Sequence, residues 1–180
     1  MGKHPRFISE NNSLFFEQIA DCRRCQRLVA YCEKFKEKEN CKVTNFDYWA
    51  KPVPGFGDLN AELLIIGLAP GAHGANRTGR PFTGDHAGNV LYRALHRNGF
   101  SNRLKVSDKN DGLQLWNTYI TNSVKCVPPS NRPIGQEKKN CLEWLEMEIK
   151  KLCCIKVVLA MGKDAFDSYL HFLKGSKKIK

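Results

Sequence analysis

Long apolar runs are missing from this chain. Nothing in its 180 residues approaches the roughly 20 consecutive apolar residues that span a bilayer. The start, Met1-Gly2-Lys3-His4-Pro5-Arg6, leads into no apolar segment of the kind that directs export. The chain is therefore expected in the cytoplasm and not at a membrane. Negative charge is also scarce: 18 Asp plus Glu stand against 29 Lys plus Arg, for a formal net charge of +11. That excess points to a polyanionic partner, nucleic acid before an anionic membrane surface. Part of it sits in a basic tail over residues 174–180, with Lys174, Lys177, Lys178 and Lys180. Internal repeats are absent, and 42% hydrophobic with 10% aromatic residues excludes a disordered chain. The length suits one α/β domain, 1–180, and is short for two. Eight cysteines in a chain expected in the cytoplasm do not read as a disulfide framework. They are metal or cluster ligands, buried thiols, or a mixture.

The apolar pattern predicts alternating strands and helices. A first helix is expected over residues 12–36, capped by Asn12 or Ser13, with Phe15, Ile19, Cys22, Leu28 and Val29 as a loose stripe. Residues 36–60 look irregular. Glu62-Leu63-Leu64-Ile65-Ile66-Gly67 is a continuous apolar run bounded by turn residues, which suits a strand buried on both faces. A helix over 89–98, a strand over 119–124, a helix over 135–152, a strand over 157–162 and a helix over 163–173 follow. This order predicts an α/β fold of three layers, α/β/α, around a central parallel sheet. Ligands bind outside the carboxyl ends of such strands. The loops starting at Gly67, Asn122 and Gly162 are therefore expected to converge.

The loop after the first of these strands is the most informative stretch. Gly67-Leu68-Ala69-Pro70-Gly71-Ala72-His73-Gly74-Ala75-Asn76-Arg77-Thr78-Gly79-Arg80-Pro81-Phe82-Thr83-Gly84-Asp85 holds five glycines, two prolines, two arginines and a histidine. Glycine allows backbone to approach a ligand closely, and loops this long inside compact domains are usually functional or disordered. It is not a P-loop, because no Gly-Lys-Ser/Thr ends it. Nor does it carry the dinucleotide fingerprint directly after the strand.

This run closely resembles the first motif of the uracil-DNA glycosylase superfamily, and in detail its iron–sulfur type B (family 5) members. Asp47-Tyr48-Trp49-Ala50-Lys51-Pro52-Val53-Pro54-Gly55-Phe56-Gly57-Asp58 is similar to that family's lead-in, and Leu95-His96-Arg97-Asn98-Gly99-Phe100 to its continuation. The resemblance extends from about Cys22 to about Leu170. It implies removal of uracil, and of other deaminated bases, from double- and single-stranded DNA by a monomer. A base cut from DNA must leave the stack and enter a closed pocket. Phe82 matches the aromatic that stacks on the base. Asn122 lies at the end of the second parallel strand, and its amide supplies both the donor and the acceptor that a uracil edge requires. Asp85 is the candidate carboxylate for orienting water or stabilising the developing deoxyribose cation, with helix capping as its other reading. Gly71 and His73 are expected against the substrate, and Arg77 and Arg80 against phosphates.

The cysteines acquire an assignment by the same route. Cys22 and Cys25 form a Cys-x2-Cys pair, with Cys126 and Cys141 far along the chain. By chemistry alone, a four-cysteine zinc site competes with an iron–sulfur cluster. The family places a Cys-x2-Cys near its N-terminus, a third Cys after the second strand and a fourth in the next helix, which implies a [4Fe-4S] cluster with a structural role on these four. Cys32 and Cys41 match nothing, and Cys153 and Cys154 are expected to be buried beside a strand. The resemblance also implies a His-Pro-Ser-type loop after a further strand, whose His stabilises the departing base. No His-Pro follows Gly162, and His171 in Leu170-His171-Phe172 does not match. The last strand is accordingly expected to be missing and excision to be weak. The alternative function is a catalytically impaired iron–sulfur DNA-binding remnant.

Overall fold

The computed structural model describes residues 10–176. The readings of the first six residues and of 177–180 in the basic tail lie outside the described residues. Strand β2 (Leu63–Gly67) is central. It pairs in parallel with β3 (Thr118–Asn122) on one side and β4 (Val157–Ala160) on the other. A two-residue strand, β1 (Phe56–Gly57), adds antiparallel to β3, giving the order β1-β3-β2-β4. The sheet is thus mixed. The irregular lead-in contributes an antiparallel edge too short for periodicity to reveal.

Side chains alternate across β2 with period two. Ile65 faces α4 (His86–Arg97), packing with Leu91, Tyr92, Leu95 and Ile120. Leu64 and Ile66 face α5 (Gly135–Lys151) and α6 (Lys163–Gly175), packing with Leu145, Ile149, Ala165 and Phe172. This is the expected three-layer arrangement. Among the described residues no helix is long and apolar enough to cross a membrane.

The expected helix over 12–36 is two helices, α1 (Glu10–Ala20) and α2 (Gln26–Glu33), followed by short 3-10 turns at Lys34–Lys36 and Lys38–Asn40. The single stripe read along it is two stripes with different destinations. Phe15 and Ile19 pack on Trp144 of α5. Leu28 and Cys32 enter a separate lobe with Phe35, Tyr48, Val124, Cys126 and Cys141. The chain turns between them at Cys22 and Cys25. In the glycine-rich loop a one-turn helix, α3 (Ala75–Thr78), forms, and α4 begins three residues before the expected position. The burial expected for Cys153 and Cys154 is overturned. Leu152 is buried, but both thiols are exposed, because the chain enters the sheet there along its open edge.

Candidate active site

The register of the sheet builds the site. Gly67 and Asn122 are opposite each other on β2 and β3. The parallel ladder continues past the strand ends, with Ser123 N–H donating to Gly67 O at 2.9 Å and Val124 N–H to Leu68 O at 2.9 Å. Two of the three predicted loops are therefore stitched together. Asn122 is buried, and Phe82 folds back over the same point. A Cβ placed on Gly67 would stand 2.5 Å from Asn122 Oδ1 and 2.5 Å from Phe82 Cζ. The missing side chain of Gly67 is thus what lets ring and amide meet. The third loop ends at the same side of the sheet but adds only backbone: Met161 N–H donates to Ile66 O, and nothing stands within 4 Å of a Cβ at Gly162.

Phe82 adopts φ 52°, a left-handed backbone that side chains rarely take. Its neighbours hold it there. Tyr92 Oη donates to Pro81 O at 2.8 Å, and a Cβ on Gly88 would come within 1.7 Å of Phe82 O. Gly88 therefore has to be glycine for α4 to pack against this turn.

Asp85 meets the capping reading offered for it and leaves one oxygen over. Its Oδ1 accepts from Gly88 N–H at 2.8 Å and caps α4. Its Oδ2 faces the turn at Gly71 and Gly74, where added Cβ atoms would lie 3.1 and 2.2 Å away. One oxygen anchors the carboxylate and the other is presented to the loop. His73 is half-buried, with Nδ1 3.0 Å from Tyr48 Oη and its ring edge-on to Phe35 and Tyr48. Burial, with the charges of Lys42 and Arg77, lowers its pKa and favours the neutral ring at pH 7. Arg77 donates to His73 O at 2.9 Å and lies over the exposed ring of Phe46.

Arg80 does not meet its assignment as a phosphate contact. Its side chain is 2% exposed and forms a two-pronged pair with Asp111 at 2.9 and 2.7 Å, with a third bond to Thr83 Oγ1. Burial opposes the Asp111 carboxylate, but the Arg80 bonds and the backbone donors of Ser107 and Leu113 outweigh it and bring its pKa to about 2. Arg80 therefore braces the loop from within. Composition could not separate it from Arg77, because both stand among glycines.

Cys22, Cys25, Cys126 and Cys141 gather where α1, α2, α5 and the end of β3 meet. Cys126 and Cys141 both lie close enough to Cys22 to feel its charge, and Cys141 also feels Cys25. Three of the four sulfurs accept N–H donors: Cys22 from Trp144 Nε1 at 3.3 Å, Cys25 from Asn140 Nδ2 at 3.4 Å and Cys141 from the backbone of Lys125 at 3.4 Å. Such donors stabilise negative sulfur. Burial pushes the Cys141 thiol up to about 11, and a hydrogen bond shared with Cys32, then burial, holds the proton on Cys126. Only a positive centre would make thiolates of them. Among the described residues no three His, Cys, Asp or Glu side chains close on one metal ion. Cys32, unassigned from the sequence, is fully buried at this same locus.

Sequence reasoning missed Gly67 as the residue that lets Phe82 and Asn122 meet, Tyr48 as the partner of His73, and Lys125. The signal for Lys125 was a lone cation between Val124 and Cys126.

The family described as the uracil DNA glycosylase superfamily matches residues 54–179. A type-5 uracil-DNA glycosylase from Thermus thermophilus is 45% identical over 159 residues, covering 88% of this chain and 72% of that protein. One from Pyrobaculum aerophilum is 42% identical, covering 88% and 69%. A type-4 uracil-DNA glycosylase from the same organism is 34% identical over 130 residues, covering 72% and 55%.

Proposed function

The chain belongs to the uracil DNA glycosylase superfamily, and we propose that it removes uracil from DNA by hydrolysing the N-glycosidic bond. The observation that carries this reading is the meeting of Phe82, Asn122 and bare Gly67 at the ends of two parallel strands. An extruded uracil would stack on Phe82 and exchange hydrogen bonds with the Asn122 amide. Gly67, having no side chain, leaves room for that ring and that amide to stand side by side. Asp85 Oδ2, fixed through its partner oxygen, would orient the attacking water or stabilise positive charge on the sugar. A carboxylate already held in place needs no reorganisation as that charge appears. Arg77 and the +11 charge would draw the phosphate backbone to this face.

Cys22, Cys25, Cys126 and Cys141 would hold a [4Fe-4S] cluster. When bound, it supplies a rigid cross-link, and the N–H donors at three of the sulfurs support the assignment. The residues around it do the rest: Arg27 of α2 grips Glu137 of α5 with two bonds of 2.8 Å, closing the lobe from outside.

The test is abasic-site formation on oligonucleotides carrying a single uracil, with thymine in its place as control. Alkali-labile sites at uracil alone are expected. Their absence with iron-loaded protein overturns the reading and favours a DNA-binding protein without excision.

A further inference from the structure

Lys125 is 1% exposed and Glu148 is wholly buried at its side chain, yet neither belongs to the stacking, reading or cysteine groups. We propose that this buried ion pair is a positioning device that sets the base-reading amide of Asn122 and ties it to the cysteine locus. The proposal rests on the reading of Asn122 as the residue that recognises the base.

An ammonium has three N–H donors, and the three acceptors around Lys125 Nζ are Thr121 Oγ1 at 2.6 Å, Asn122 O at 2.8 Å and Glu148 Oε2 at 2.5 Å. Thr121 Oγ1 in turn donates to Glu148 Oε2 at 2.6 Å. Glu148 Oε1 accepts from Gly55 N–H at 2.7 Å. The pair therefore fastens the last two residues of β3 to α5 and to the lead-in loop. Holding the carbonyl of Asn122 fixes the direction in which its side chain leaves the strand, against Gly67 and Phe82.

The backbone of Lys125 completes the link. Its N–H donates to Cys141 Sγ, and its carbonyl accepts from Val53 N–H at 2.7 Å. One residue thus joins a cysteine to the base-reading residue, with its N–H on the Cys141 sulfur and its ammonium on the main-chain carbonyl of Asn122.

Stability alone does not account for the arrangement. Taking two charges out of water costs about as much as their attraction returns, and apolar side chains of similar size fill such a space as well or better. What an apolar pair cannot do is hold a carbonyl and a hydroxyl at a chosen place at the end of a strand.

The experiment compares the wild-type protein with Lys125→Met/Glu148→Leu, Thr121→Val and Thr121→Ser, all iron-loaded and well below their melting temperatures. Four readouts are taken: iron content, affinity for undamaged duplex, inhibition by free uracil, and single-turnover excision. The double variant is expected to bind undamaged duplex normally, to be inhibited less by free uracil, and to excise about 100-fold more slowly, the scale of a misplacement near 1 Å. Thr121→Val is expected to slow excision about 10-fold by the same misplacement argument, and Thr121→Ser, which keeps the hydroxyl, to restore it. If the double variant fails to fold, the two Thr121 variants decide. Wild-type rates and uracil inhibition in the folded variants would overturn the proposal, as would losses that track iron or duplex affinity. A wild-type protein that neither makes abasic sites nor binds free uracil would instead overturn the reading of the site, and this proposal with it.

Discussion

β3 and β4 are both parallel neighbours of β2, yet they have opposite surroundings. Every residue of β3 is buried, and the burial runs on through Pro128. Along β4, Val157 is 58% and Leu159 47% exposed, and Phe166 of the following helix is exposed as well. Ion pairs divide in the same way: Lys125–Glu148 lies sealed behind β3, while Lys156–Glu62 stands in solvent beside β4. Polar groups at the end of β3 had to be paired because no water reaches them. That obligation makes the geometry there well determined. Chemistry that depends on fixed distances belongs at the β3 end, and the open edge at β4 carries none of the residues assigned to it.

Breaking the site at its proposed reacting groups, Asn122 at the end of β3 and Asp85 at the cap of α4, should have the largest effect. Asp85→Ala or Asn122→Ala is expected to slow single-turnover excision by about 10²–10⁴-fold, the range for a lost acid–base or electrostatic group. Binding to undamaged duplex should hardly change, as a gel-shift titration would show. Packing gives the next contrast. Ile120→Ala on β3 should cost about 2–5 kcal/mol in denaturant unfolding. Leu159→Lys on β4 should stay within about 0.5 kcal/mol, because its side chain is already in water. Equal losses at the two positions would erase the distinction drawn here.

The cysteines sharpen the comparison. Cys126→Ala, just past β3, is expected to reduce bound iron and the melting temperature together, since ligand binding supports the fold. Cys153→Ala, just before β4, should alter neither in metal analysis and a thermal scan. Acid should act on the sealed side too. The Asp111 carboxylate is held at about 2 against an ordinary 3.8. Its contribution to stability is present above 3.8 and is lost as pH falls towards 2. Arg80→Met should flatten that part of an acid-unfolding curve. The exposed Lys156–Glu62 pair has little to lose, so Lys156→Met should leave the curve nearly as it was.

The β2 strand, the helices around it and the three parallel strands were legible because their apolar residues run continuously or recur at helical spacing. Phe82 and Asp85 were singled out because the motif around them is specific, and Asn122 because it ends a strand; the structure brings Phe82 and Asn122 together at Gly67. Arg80 misled because a sequence does not show which of two neighbouring arginines finds a carboxylate 31 residues away. The break between α1 and α2 was hidden because apolar residues bound for two lobes looked like one stripe. Cys153 and Cys154 misled because proximity to a strand predicts burial only when something covers that strand. Lys125 escaped because its acceptors are assembled from β3 and α5.

The left-handed backbone at Phe82 has a consequence for how the protein is maintained. A phenylalanine there carries about 1–3 kcal/mol of conformational strain that a glycine would not. Phe82→Gly would relax the turn and at the same time remove the surface proposed to stack on a base. A lineage screened only for resistance to heat would drift towards the relaxed turn, and one that must recognise a base would be held at the strained one. If Phe82 stacks on a base as proposed, thermal tolerance and recognition pull against each other at this residue, and Phe82→Gly should raise the melting temperature while slowing excision.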